Sequence, residues 1–344
     1  MVAEATPPGM VQSVQSIASK LVRHREKLWW LHSLYALLFG IGVMWLGRQH
    51  FSFLRFTLLY ILFIWATSLL LPHWRPRLDA RRGNWLQSVV HYVNRNFYQQ
   101  ILFVILPIYY ASTTIRSRNF VFLVLLASSA VLSTLDLVYD RYLSTRWLLA
   151  ASFFAFNLFA CVNLLLPILW GVSNTGAFYG GAMASFAGFA TFCFRVSHLP
   201  LWKARAVLTL GGVALILFVF GGQPFIPPVP LRMLSASFGN DFDRQSLRIT
   251  SPLSAVSPNA SARIVGLTAI AAPLGLREQV SHRWYVDGKN TRSSPFYEVT
   301  GGRKQGFRLW TGVRADLSSV RTVRLDVVTE GEQLIGRALL PVSR

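Results

Sequence analysis

"QPFIPPVP" (residues 223–230) places four prolines in eight residues. Proline locks φ and lacks a backbone N–H, so no helix runs through such a stretch. The chain has one texture before it and another after it, and the fold is read from that change. Upstream, apolar runs follow one another, each near the ~20 residues that cross a ~30 Å hydrocarbon layer. Downstream, short alternating runs are broken by Gly, Asn, Pro and Asp, the pattern of antiparallel strands and their turns.

Composition agrees with the upstream reading. The 344-residue chain is 53% hydrophobic and 14% charged, against about 25% charged in a soluble domain. Its net charge of +20 comes from 34 Lys+Arg and 14 Asp+Glu, of which 16 and 9 follow residue 222. Upstream the basic residues lie between apolar runs, as the loop charges of an integral membrane protein do. That placement accounts for the excess without nucleic acid, which is not expected as a partner. Cys161 and Cys193 both sit inside apolar runs and the downstream part has no cysteine. That part must therefore fold on its own core, without disulfides.

Seven spanning helices are expected, at residues 29–47, 51–71, 97–114, 119–139, 146–170, 177–194 and 204–222. The third carries Pro107, which neighbouring helices can accommodate. Residues 1–28 read as a cytoplasmic segment ending in an amphipathic helix over 11–27, or as an extension of the first span. No small-residue cleavage site follows the first apolar run before Arg48, so a cleaved leader is not expected. The short loops on one side hold Lys20, Arg23, Arg25, Lys27, Arg75, Arg77, Arg81, Arg82, Arg95, Arg141, Arg146, Arg195, Lys203 and Arg205. The other side holds Arg48, Arg116 and Arg118, with Arg55 just inside the second span. The bias puts the N-terminus in the cytoplasm, and seven crossings leave the C-terminal part outside.

The expected architecture is thus a membrane all-α bundle of seven transmembrane helices over 29–222, then a Pro-rich linker and lead-in over 223–262. An all-β antiparallel, immunoglobulin-like sandwich follows over 263–344. Its strands are expected at 263–270, 279–286, 292–299, 305–311, 322–329 and 333–342, with turns at "DGK" (287–289) and "GG" (301–302).

Chemistry is sparsely marked. No nucleophile elbow, phosphate-binding lysine loop, zinc-protease motif or C-x-x-C is present. The seven histidines (His24, His32, His50, His73, His91, His198, His282) fall at no metal-ligand spacing. No metal and no cofactor is expected, and an enzyme is disfavoured. Within the spans, Asp136, Asn157 and Asn163 are the polar candidates, since charge and amide groups in lipid are costly. Asp136 is read either as a coupling carboxylate or as an interfacial acid beside Arg141 and Arg146. The asparagines serve interhelical hydrogen bonding or substrate contact. Gly176, Gly180, Ala184 and Gly188 recur every four residues, a stripe of small residues that lets helix backbones approach closely.

In the C-terminal part, His282, Trp284, Lys289, Arg303, Lys304, Arg308 and Trp310 form the candidate site. Arg offers bidentate contact to phosphate or carboxylate and an aromatic ring stacks beside it. The competing reading makes the tryptophans core residues and the basic groups solvated strand faces.

"HRWYVDGK" (282–289), "GGRKQGFRLWT" (301–311), the strand Val323 to Val327 and "GEQLIGRALLPV" (331–342) together resemble a bacterial domain of unknown function, the one numbered twenty-nine-fourteen. The match runs from Val265 to Val342. Arg308-Leu309-Trp310 and Gly331-Glu332-Gln333 follow its pattern loosely. The resemblance implies a bacterial envelope protein in which a β module follows a multi-span membrane region, and it implies no activity.

The leading expectation is an inner-membrane protein whose periplasmic sandwich binds or organises an anionic lipid, glycan or envelope protein. The alternatives are a transporter or channel working through Asn157, Asn163 and Asp136, and an enzyme on lipid-linked substrate using His91, His198 and Asp136. A reporter active only outside the cytosol, fused after Arg344, is expected to give signal. Signal from a cytosolic reporter at that position would reverse the orientation.

Overall fold

The computed structural model of the protein describes residues 34, 38, 41, 101–135, 146–195, 200–257, 261–316 and 320–343. From residue 101 on, the described helices are α1 (Ile101–Ala111), α2 (Phe120–Thr134), α3 (Trp147–Trp170), α4 (Asn174–Arg195) and α5 (Leu201–Gly221). A 3-10 turn at Gln223–Phe225 leads into eleven strands.

This corrects the expected seven-helix bundle. Among the described residues only α3 and α5 are long and apolar enough to cross a membrane. The physical reason is that hydropathy counts apolar side chains without asking what they face. The 15 residues of α2 rise about 22 Å, short of the hydrocarbon layer. In α1, Leu102, Ile105 and Tyr109 are fully buried against neighbouring helices. Four glycines dilute α4, at 176, 180, 181 and 188. The two expected spans at 29–47 and 51–71 lie outside the described residues, apart from Leu34, Leu38 and Ile41.

The helices pack through aromatic rings. Phe159 of α3 meets Phe122 of α2 at 5.9 Å, Phe178 of α4 at 5.9 Å and Phe218 of α5 at 5.3 Å. Such tilted and edge contacts are the favoured geometry for ring quadrupoles. The small-residue stripe of α4 meets α3. A Cβ on Gly180 would lie 2.6 Å from Leu166, and one on Gly188 would lie 2.7 Å from Phe154.

The strands make two antiparallel sheets that pack face to face. In the first, β4 (Pro252–Leu253), β1 (Arg232–Gly239), β5 (Ser261–Ala271) and β9 (Phe307–Asp316) lie in that order. In the second, β11 (Leu334–Pro341), β10 (Thr322–Thr329), β6 (Arg277–Val286) and β7 (Lys289–Ser293) follow one another, and β8 (Tyr297–Thr300) also pairs with β6. The layers interdigitate at Gly266 of β5, where a Cβ would sit 2.6 Å from Leu325 and 2.8 Å from Trp284. Period-two alternation drives this: Ile264, Thr268 and Ile270 of β5 point inward and are fully buried. Where one strand is expected over 292–299, two short ones occur, because Pro295 has no N–H to give a ladder. The segment expected as lead-in supplies β1, whose small and polar residues hid it, as an interior strand between β4 and β5.

The Pro-rich segment does not hang free. Residues 226–231 are buried; Ile226 and Val229 join the helical core, and Leu231 joins the sandwich core. The sandwich sits on one end of the helices through buried polar contacts. Asn119 before α2 donates to the carbonyl of Leu334 at 3.0 Å. Gln333 donates to the carbonyl of Ile226 at 3.1 Å. Glu278 of β6, 3% exposed, accepts from the backbone N–H of Asn174 at 2.6 Å and from its side-chain amide at 3.0 Å. A carboxylate at a helix N-terminus satisfies an orphan donor and meets the positive end of the helix dipole. Beside it, α3 ends in a left-handed glycine cap: Gly171 N–H donates to Pro167 O at 3.1 Å and Val172 N–H to Leu166 O at 3.4 Å. Gly171 has φ +65°, and a Cβ there would stand 2.7 Å from the carbonyl oxygen of Gly275, so only glycine serves both demands.

Glu278→Ala strands the Asn174 donors in a dry interface. It is expected to destabilise the docked form by about 1–3 kcal/mol and to make residues 223–231 cleavable in limited proteolysis of the detergent-solubilised protein. Glu278→Gln, which keeps an acceptor, is expected to be milder; equal resistance of Glu278→Ala and the parent would refute the docking role.

Candidate anion-binding surface

The seven residues expected to form a site are not brought together. His282 and Trp284 of β6 are 0% exposed, in the middle of the sandwich. His282 bridges the two sheets: its ring nitrogens lie 2.8 Å from Thr268 Oγ1 and 2.8 Å from Thr311 Oγ1. Trp284 Nε1 donates to Thr311 at 2.8 Å. The network satisfies the polar atoms of both rings, which a dry core requires. Burial pushes His282 from its ordinary 6.5 down to about 3. Lys289 opens β7, just past the turn from β6, at the end away from the helices. Arg303 and Lys304 lie in the loop between β8 and β9, at the helix end. Arg308 and Trp310 lie on the outer face of the first sheet.

Trp310 is the centre of a group that sequence reasoning missed in part. The hairpin of β2 (Phe242–Asp243) and β3 (Arg248–Ile249) folds back over the outer face of β9. Phe242 stacks on Trp310 with centroids 4.6 Å apart and planes 24° apart, and Arg244 lies 5.6 Å from the same ring. Arg308 donates to the carbonyls of Ser246 and Leu247, each at 3.2 Å, and to Gln305 at 3.0 Å. Asp243 shapes the hairpin by accepting from the Gln245 N–H at 2.9 Å and from the Ser246 hydroxyl at 2.6 Å. The readable signal was Asp-Arg-Gln-Ser (243–246), a turn in which a carboxylate caps the residues that follow it. Farther along the same face, register sets Arg263 directly opposite Arg314. Two like charges in such a pair repel unless an anion lies between them.

The outer faces of the two sheets differ in electrostatics. On the second, Arg337 forks onto Asp326 at 2.8 and 2.9 Å, Arg324 lies 4.0 Å over the Tyr285 ring, and Arg283 pairs with Glu332. On the first, Arg244, Arg263, Arg308 and Arg314 pair with no carboxylate among the described residues.

In the helices, Asn157 accepts from Ser129 at 2.8 Å, and Asn163 donates to Tyr109, whose hydroxyl donates to the Ala160 carbonyl at 2.8 Å. These pairs tie helices together. A cavity of 420 Å³ between the helices has nearly all-apolar walls, including Phe122, Phe159 and Phe218, and neither asparagine lines it. Asp136, His91 and His198 lie outside the described residues. Among the described residues no three of His, Cys, Asp and Glu converge.

Three comparisons bear on this chain. The model of a family of unknown function, DUF5924, matches residues 11–269, and the chain belongs to that family. No curated protein matches it. Among solved structures, an immunoglobulin-like protein from Pseudomonas aeruginosa is similar at 13% identity and a TM-score of 0.21, covering 33% of this chain and 96% of that one.

Because folding holds His282 neutral while the unfolded chain protonates it near 6.5, the unfolded state binds the extra proton between those values. Stability is therefore present above pH 6.5 and lost as pH falls toward 3. The thermal midpoint of the sandwich is expected to drop over that interval, and His282→Gln is expected to flatten the dependence. An unchanged slope in the variant would contradict the assignment.

Proposed function

We propose that this member of the DUF5924 family is an integral membrane protein of the bacterial envelope that binds a phosphate-bearing anionic component through the outer face of its first sheet. The carrying observation is one outer face that holds Arg244 and Arg308 beside the Trp310–Phe242 stack and the opposed pair Arg263–Arg314 farther along it, with no carboxylate partner among the described residues. Guanidinium groups match phosphate oxygens bidentately, and a neighbouring ring can carry the apolar part of a ligand.

The membrane part of the reading rests on α3 and α5, the latter with Leu210, Leu217 and Phe220 largely exposed. An unpaired apolar helix surface of that length suits lipid. For orientation, Arg146, Arg195, Lys203 and Arg205 lie at the helix ends away from the sandwich. Among the described residues only Arg116 and Arg118 lie in the helix connections on the sandwich side. That bias supports a cytoplasmic face opposite the sandwich and a periplasmic sandwich. The resemblance of Val265 to Val342 to the domain numbered twenty-nine-fourteen supports an envelope setting behind more than one membrane span. Transport has no carrying observation: each asparagine bonds a neighbouring helix through one amide atom only, Asn157 Nδ2 and Asn163 Oδ1 being buried without a partner among the described residues, and the cavity is apolar and lined by neither.

The test uses the full chain in detergent, titrated with inorganic polyphosphate. Arg263→Gln with Arg314→Gln, which leave the hairpin contacts untouched, are expected to weaken binding at least about tenfold. A hydrogen bond to a charged group contributes on the order of 1.5–3 kcal/mol. Binding that is absent in the parent, or unchanged in the double variant, would sink the reading.

A further inference from the structure

The loop between β5 and β6 (residues 272–276) and the loop between β8 and β9 (residues 301–306) form one preassembled platform. Gly301 N–H donates to Leu276 O and Gly302 N–H donates to Ala272 O, both at 3.0 Å. The platform is fixed in height against the helices. The Gly275 carbonyl lies against the Gly171 turn that ends α3, and Glu278, two residues past the loop, holds the first turn of α4. The helix it touches is one of the two able to span a bilayer. Two other features meet at this level. Leu274 at the tip of the platform is 74% exposed, and Trp170, the last residue of α3, is 64% exposed. Arg303 and Lys304 are exposed beside them and pair with no carboxylate among the described residues; Arg303 rests only on the Phe307 ring, at 5.2 Å. The nearby acid Glu298 is engaged by Arg277.

An exposed leucine and tryptophan with two unpaired cations, level with the end of a membrane span, is the composition of a headgroup contact. Tryptophan favours the membrane–water boundary, and a single leucine can enter it to the acyl region. Lys and Arg there are attracted to anionic lipid and can bond its phosphate oxygens. We propose that this platform docks on the leaflet around α3, with Leu274 inserted beside Trp170 and Arg303 and Lys304 on the phosphates of anionic phospholipids. The proposal rests on the reading of α3 as a membrane span; Arg308 adjoins the platform through Gln305, whereas the Arg263–Arg314 pair used to test the outer-face site lies higher on the sandwich. Its consequence is a sandwich held by protein contacts from below and by lipid at its rim.

Full-length protein is placed in nanodiscs of phosphatidylcholine, or of phosphatidylcholine with phosphatidylglycerol, and amide hydrogen exchange is followed in residues 272–276 and 301–306. Phosphatidylglycerol is expected to slow exchange in both loops about tenfold, the scale of one or two basic groups at an anionic surface. Arg303→Gln with Lys304→Gln is expected to remove the slowing while strand amides stay protected, and Leu274→Ser to reduce it. Equal exchange in the two lipids overturns the proposal, and so does slowing that survives the double substitution. Slowing produced in phosphatidylcholine discs by inorganic phosphate alone overturns the lipid assignment. Polyphosphate binding through Arg263 and Arg314 is unaffected by these variants, so its loss or persistence reports separately on the outer-face reading. Failure of the chain to enter discs at all removes the membrane premise and this proposal with it.

Discussion

A carboxylate buried between two packed units must find donors, and Glu278 finds them in the first turn of α4. Burial pushes its carboxyl above the ordinary range, and the Asn174 backbone and amide donors act against that push. Much else follows from this contact. It sets the height of the loop over 272–276, which in turn brings the Gly275 carbonyl against Gly171 and leaves no room for a side chain at Gly171. Asn119 and Gln333 add their bonds at other helix ends, so the sandwich meets the helices over several separate polar pairs rather than one hinge. A module held in this way presents its faces at fixed heights above the helices.

Fixed presentation gives meaning to the difference between the two sheet faces. The second sheet neutralises its arginines with Asp326 and Glu332. The first leaves four guanidinium groups without carboxylates among the described residues, two beside an aromatic stack and two opposed farther along the face. Both faces are strands of the same module in the same solvent, so the contrast is one of placement and not of composition. The interior contains its own polar layer, His282 between Thr268 and Thr311, whose stability depends on keeping the imidazole uncharged.

Several features were legible in the chain itself. Four prolines ended the helical part, alternation marked β5, β6 and β10 within two residues of their ends, and Asp287-Gly288 announced the turn after β6. Others were not. His282, Trp284 and Trp310 share the aromatic-basic texture that suggests a binding face, yet two of them are core. One-residue steps along a strand choose between inside and outside, and which side is inside depends on the opposing sheet. Glu278 carried no signal, because its partner lies 104 residues away. The hairpin over Trp310 was hidden in a segment without alternation.

By itself the sequence determined that an apolar helical part precedes an antiparallel β part with its own core. Both conclusions rest on local periodicity and on where proline forbids regular structure. Only tertiary structure decided which aromatic residues are buried, which arginines lack partners among the described residues, and which of the described helices are long enough to span. Those properties belong to pairs of distant residues, and a pair acquires its energy only once folding has brought its members within contact distance.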